Sequence, residues 1–380
     1  MTFSFARCLA LAAAASILSG AASFCAATER IAFVGTLSGA GAALGRDQRD
    51  GLLLAIAQQH GALGGTAVRV VEFDDRGEAR HARLIADRIL AEGIQIVTGL
   101  TTIESALALN SRLAGKPVVL LSSGAGPVAL AAEKCSRNFF STAPVEDAVH
   151  ENAGFIAQMR GYESIYIITS PESRRLVKTA FQRRFAGTIS GIDDARDAIR
   201  RIRQALPEAV YVALPEREIR SFLRSYEKAG LFHRIPVIAA DEGVLLDELG
   251  TEFSGLVVSA RWSAAMENER SKDFVVAFER RYGRKPSAYA MQAYDAAIVL
   301  GETFRALKAK SVSAAAISRA LAMKKVEGVA GPLRFGANHF LITQWHAWEV
   351  FDDSSGSTYL APLKPTLNEY VDPYSERCML

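Results

Sequence analysis

The strongest constraint on this chain is an alternation of short aliphatic runs with segments of helical spacing, which goes through once and then restarts. Arg30–Val34, Val68–Phe73, Ile94–Val97 and Pro117–Leu121 read as strands, each followed within two residues by Gly, Asp or Ser. Gly45–Gln59, Glu78–Ala91 and Thr102–Leu113 lie between them with apolar residues at helical spacing, such as Leu84, Ile85, Ile89 and Leu90. Repeated strand–helix–strand order implies a parallel sheet with helices on both faces, because parallel neighbours need a long crossover.

In the second series, helices are expected at Pro144–Met159, Glu172–Phe185, Asp193–Leu206 and Glu216–Ala229, with Pro144 at a first helical position that needs no N–H. Strands are expected at Ser164–Thr169, Ala209–Ala213, Pro236–Ala240 and Gly255–Ser259. Helices Ser271–Tyr282, Ser287–Leu307 and Ala314–Leu321 follow, then strands Leu333–Phe335 and His339–Val350. Asp352–Leu380 has no periodicity and reads as an irregular tail. A chain of 380 residues exceeds what one core usually supports. The expected fold is therefore α/β, with two doubly wound parallel-sheet lobes.

Met1–Ala27 reads as a secretory leader: Arg7, an apolar Leu9–Leu18, then small residues to Cys25-Ala26-Ala27. The apolar stretch is too short for an anchor, and Phe24 stands where lipoprotein processing needs a small residue. Secretion leaves Cys135 and Cys378 in an oxidising compartment, where a bridge is expected over two buried free thiols. The net charge of +3 argues against nucleic acid as a partner, and no later apolar run is long enough to span a membrane.

Catalytic chemistry is sparse. Gly39-Ala-Gly41-Ala-Ala-Leu-Gly45, with Asp74 ending the second strand, imitates a dinucleotide loop. The third glycine is one residue late and Asp74 is too far along, so a plain strand-to-helix turn is expected and no cofactor. The six His have no metal-ligand spacing, and there is no G-x-S-x-G elbow, so neither a metal nor a catalytic residue is assigned. Two polar strand ends remain, Thr101-Thr102 and Ser122-Ser123-Gly124-Ala125-Gly126. Ligands of open parallel sheets bind outside the carboxyl ends of strands, but Thr and Ser cap helices there equally well. The arginine pairs on the second series read as solvated helix faces.

Taken in order, a set of fragments resembles the type I periplasmic substrate-binding proteins of ABC importers, of the branched-chain amino acid and amide class. They are Gly35-x-x-Ser38-Gly39, Gly45-x-Asp47-Gln48-x-x-Gly51, Gly64-Gly65, Asp74-Asp75, Ala106-Leu107-Ala108, Tyr211, Ala229-Gly230-Leu231, Phe253-Ser254-Gly255, Tyr282-Gly283-x-x-Pro286, Ala293-Tyr294-Asp295-Ala296 and Gly331-Pro332-Leu333, within Ile31 to about Val350. The resemblance implies a clamp with residues 28–143 and 261–330 in lobe I, and 144–260 and 331–352 in lobe II. Three crossovers would form the hinge, 1–27 the leader, and 353–380 the tail, stapled to lobe I through Cys135 and Cys378. It also implies a periplasmic, non-enzymatic monomer that delivers a small-molecule ligand to a membrane permease. A ligand-sensing subunit of a signalling receptor is the alternative. Closure would follow from the ligand's higher affinity for the closed form.

The family's ligand positions carry over unevenly. Ile103 stands where a carboxylate-binding Ser is common, and Gly124 and Gly126 where Ala and Thr are common. Arg174 falls near an absent Tyr-Gly-x-Gly turn and could supply an anion contact. Glu242 matches an acid that pairs with an ammonium group, and Tyr289 an aromatic wall. These departures imply a ligand other than a standard branched-chain amino acid, with an apolar surface at Ile103.

Overall fold

The structure is a computed structural model that describes residues 28–240, 250–308, 313–352 and 358–380. The leader lies outside them. The first series gives β1 (Glu29–Gly35), α1 (Ala42–Gln58), β2 (Ala62–Leu63), β3 (Thr66–Asp74), α2 (Ala79–Ala91), β4 (Ile96–Gly99), α3 (Ile103–Leu113), β5 (Val119–Ser122), α4 (Val128–Ala131) and β6 (Phe139–Ser141). The second gives α5 (Ala148–Met159), β7 (Ser164–Thr169), α6 (Arg174–Gln182), β8 (Thr188–Asp193), α7 (Ala198–Ala205), β9 (Ala209–Ala213), α8 (Glu216–Lys228), β10 (Val237–Ala240) and β11 (Val257–Ala260). After these come α9 (Glu269–Tyr282), α10 (Ala288–Leu307), α11 (Ala314–Ala322), the hairpin β12 (Lys325–Gly328) and β13 (Gly331–Arg334), β14 (His346–Asp352) and β15 (Thr358–Pro365).

Among the described residues the strands make two large sheets, ordered β2-β3-β1-β4-β5-β6 and β15-β14-β11-β10-β9-β7-β8. Both are parallel except at β2, β14 and β15, which pair antiparallel. Each sheet is covered on both faces, as the period-two side-chain alternation of a strand requires. In β1, Ile31 and Phe33 join a core with α1, α10 and α11, while Ala32 and Val34 join one with α2 and α3. In β9, Ala209 and Tyr211 face α5 and α6, while Val210 and Val212 face α7 and α8. The chain passes between the two groups after β6, after β11 and after β13. Helices α1 and α10 pack backbone to backbone: a Cβ on Gly51 would lie 2.0 Å from the carbonyl oxygen of Ala290.

Several expectations fail locally, each for a visible reason. The second sheet has an edge strand, Thr188–Asp193, where none was expected, and the helix expected from Asp193 begins at Ala198. Gly191 hid this strand, and its lack of a side chain makes room for the Tyr166 ring, whose Cε2 would sit 2.2 Å from a Cβ. Helix α5 begins at Ala148, not Pro144. The Pro144 carbonyl lies against Gly126, which fixes that stretch in the crossover. Phe139–Ser141 is an unforeseen short edge strand of the first sheet. The run expected as one strand from His339 makes isolated bridges at Phe340, Leu341 and Thr343 before β14 starts at His346.

The tail is not irregular throughout. Thr358–Pro365 pairs along β14 as an edge strand, where Pro362 and Pro365 are tolerated. Beyond it, Leu367 and Tyr370 pack with Ala148 and Trp345. The hydroxyl of Tyr370 donates to Glu151 (3.1 Å), and that of Tyr374 to Asp147. Arg183 bonds the same two acids, at 2.7 Å to Asp147 and 2.6 Å to Glu151. The chain then reaches the first group, where Asn338 donates to Asp372 and Cys378 is disulfide-bonded to Cys135, with Cα atoms 5.7 Å apart.

Candidate functional site

The polar strand ends of the first sheet converge on one side chain, Gln48 of α1, which is fully buried. Its amide nitrogen donates to the Gly99 carbonyl (2.7 Å) and to Ser123 Oγ (3.0 Å). Its Oε1 accepts from Thr101 Oγ1 (2.8 Å), which itself accepts from the Thr36 N–H (3.1 Å). One residue thus ties together the loops after β1, β4 and β5. Thr102 caps α3 by accepting from the Ser105 N–H (3.3 Å), and Ile103 is half-buried against the α2–α3 core. Ser122 donates to the Ala125 carbonyl (2.6 Å) and so closes its own loop.

The two glycines of that loop are demanded by space. A Cβ on Gly124 would lie 2.6 Å from Gln48 Nε2 and 2.8 Å from the Leu100 carbonyl oxygen, and one on Gly126 1.9 Å from the Pro144 carbonyl oxygen. A hydroxyl-bearing side chain at 126 is therefore excluded by the backbone beside it. In the glycine loop, a Cβ on Gly45 would lie 2.0 Å from the Thr36 carbonyl oxygen, and Asp74 accepts from the Leu37 N–H and the Ser38 hydroxyl. Those groups serve the turn itself.

The second sheet contributes less. Arg174 is exposed at the start of α6, close enough to Asp194 to hold that carboxyl down after the bonds Asp194 accepts from Arg196. Tyr289 is half-buried in the first turn of α10. Glu242 lies outside the described residues. His150 is buried with Nδ1 2.6 Å from the Tyr211 hydroxyl, and burial, then the nearby Arg183, pushes its pKa down to about 3. Among the described residues, no three His, Cys, Asp or Glu side chains group as metal ligands.

The carboxyl ends of the two sheets meet where the chain crosses between them. Thr142, just after β6, bonds the Ser122 carbonyl through its N–H (2.8 Å) and the Gln292 carbonyl through its hydroxyl (3.0 Å). Arg261, just after β11, donates from Nη1 to the Thr142 carbonyl (3.0 Å). Asp295 of α10 accepts from the Val329 N–H (2.8 Å) and sets its other oxygen 3.8 Å from Arg261 Nη2. Burial pushes the Asp295 pKa up to about 6, against the pull of Arg261. Gln48 stood in a recognised motif without a role, and Arg261 carried no motif at all.

This is the arrangement of a two-part clamp, and the profile described as "Periplasmic binding protein" matches residues 28–355. The chain belongs to the periplasmic binding protein family. As a periplasmic binding protein it is similar to the leucine-, isoleucine-, valine-, threonine- and alanine-binding protein of Pseudomonas aeruginosa, 24% identical over 362 residues, 88% of this chain and 94% of that one. It is 23% identical to Leu/Ile/Val-binding protein homolog 4 of Brucella abortus, over 97% of each chain. Its fold matches a solute-binding protein of an R. palustris ABC transporter in complex with benzoate, with a TM-score of 0.82 and 20% identity over 93% of this chain and all of that one. It also matches the branched-chain amino acid binding protein LivJ of Streptococcus pneumoniae in complex with isoleucine, with a TM-score of 0.75 and 19% identity over 89% of this chain and all of that one. A periplasmic location follows from the family.

Proposed function

We propose that this periplasmic binding protein captures a small carboxylate-bearing solute between its two sheet groups and delivers it to the permease of an ABC importer. The observation that carries the reading is the convergence of the β1, β4 and β5 loops on Gln48, beside crossovers that bond to one another. Residues 28–143 with 261 to about 341, and 144–260 with about 342–352, act as the two lobes; the boundary expected at 331 moves because Leu333, Phe335 and Leu341 pack in the core of the first sheet. Residues 1–27 are the cleaved leader, and the protein works as a monomer that binds without turnover.

The ligand is not a standard branched-chain amino acid. Gly126 has no room for the hydroxyl that would hold such a ligand, and Ile103 brings none where a Ser is common. Relatives with this fold bind isoleucine in one case and benzoate in another, so the scaffold accepts either chemistry.

Mass spectrometry of solute released by denaturing the purified protein, with a thermal-shift screen of amino acids and aromatic or aliphatic acids, tests this. A ligand at 100 times its Kd stabilises by about 2.7 kcal/mol. A protein that carries no solute and shifts with none of the panel refutes the function; a leucine or valine shift equal to the best refutes the altered specificity.

A further inference from the structure

We propose that Arg261 is the anion anchor of the cleft, the group that takes the carboxylate of the bound solute. This rests on the proposed function and names the residue through which it acts.

Arg261 lies at the junction of the two sheets. It is the first residue after β11, and its guanidinium reaches the first residue after β6. That residue, Thr142, is bonded to Ser122, the start of the loop that ends at Gly126. The cation at the crossover after β11 is therefore linked through a single residue to the loop that ends at Gly126.

Its bonding capacity is largely unspent. A guanidinium carries five N–H donors in a planar fork. Among the described residues Arg261 makes one hydrogen bond, to Thr142. Asp295 balances its charge, but the 3.8 Å separation is too long for a hydrogen bond, and Asp295 Oδ2 has no bonded partner. The side chain is 8% exposed, so spare donors are held in a nearly dry setting where a charged partner counts for more. A carboxylate accepts two parallel N–H bonds from such a fork.

The other candidates are spent or turned away. The hydroxyls of Thr101, Ser122 and Ser123 are engaged within the loops, Gly124 and Gly126 have no side chain, and Arg174 is exposed at the start of α6.

The test compares matched pairs, benzoate with benzamide and leucine with leucinamide, by calorimetric titration of the mature protein. Arg261→Gln is expected to weaken carboxylate binding about 10- to 100-fold, in line with loss of a bond to a charged group, and to leave amide binding within about threefold. Arg261→Lys keeps the charge without the fork, and is expected to lose less than Arg261→Gln, again only on the carboxylate. The carboxylate-to-amide ratio separates an anchor from a merely structural arginine, whose loss weakens both members of a pair alike. A wild-type ratio in either folded variant overturns the anchor alone. A wild-type protein that binds no carboxylate of the panel overturns the proposed function, and the anchor with it.

Discussion

Removing the disulfide by Cys135→Ser with Cys378→Ser gives the most quantitative check on this architecture. The bridged residues are 243 apart in sequence, so reduction frees about two thirds of the 380-residue chain from a single closed loop. On the chain-entropy account, closing a loop of that size removes about 18 cal/mol/K from the unfolded ensemble, or about 5.5 kcal/mol at 25 °C. The 353 residues from Thr28 to Leu380 have an unfolding entropy of about 0.74 kcal/mol/K at about 2.1 cal/mol/K each. The melting temperature should therefore fall by about 7 °C. Native secondary structure should survive, because Tyr370, Asp372 and Tyr374 still hold the tail through Glu151, Asn338 and Asp147. Scanning calorimetry of the wild-type and double-Ser proteins, with and without reductant, reads the effect. A drop under 2 °C would refute the loop-closure reasoning. Two alkylatable thiols in the native secreted protein would refute the bridge itself.

Gln48→Ala removes three buried hydrogen bonds and is expected to cost about 3 kcal/mol, with weakened binding of whichever solute the screen finds; unchanged denaturant midpoints would contradict its role. Gly126→Ala places a methyl against the Pro144 carbonyl and should destabilise by about 1–3 kcal/mol, measured by urea unfolding. Because the folded pKa of His150 is depressed to about 3, its contribution to stability is complete above about pH 6.5 and is lost as pH falls from there towards 3. His150→Gln should flatten that limb of the Tm–pH curve. Asp295 has the opposite sign: its raised pKa gives a contribution present below about pH 4 and lost as pH rises through about 6, and Asp295→Asn should remove it.

The sheet interiors were legible because period-two burial on both faces leaves near-continuous aliphatic runs such as Ile31–Val34 and Val210–Val212. The edges were not. β8 carries Gly191 for the Tyr166 ring, and β15 carries two prolines, so each looks like a loop when read without its neighbour. Glycine misled at the site as well. Gly126 reads as a lost hydroxyl, whereas the constraint on it is the backbone of Pro144, as that on Gly124 is Gln48 and the backbone of Leu100. Arg261 was illegible for a different reason. Its partners Thr142 and Asp295 are brought to it only when the chain has crossed between the sheets and back, and no local spacing records that.

The positions of the aromatic indoles give the molecule an optical property. All three tryptophans of the chain lie beside the crossovers: Trp262 directly after Arg261, Trp345 just before β14, and Trp348 within it. Each is nearly inaccessible to solvent, and each indole N–H is bonded, to Ser271, Thr343 and the Ala260 carbonyl respectively. Tryptophan emission, excited selectively, therefore comes from buried indoles that flank the crossovers. A wavelength shift or quench on adding solute reports rearrangement at that junction, free of background from indoles elsewhere in the chain.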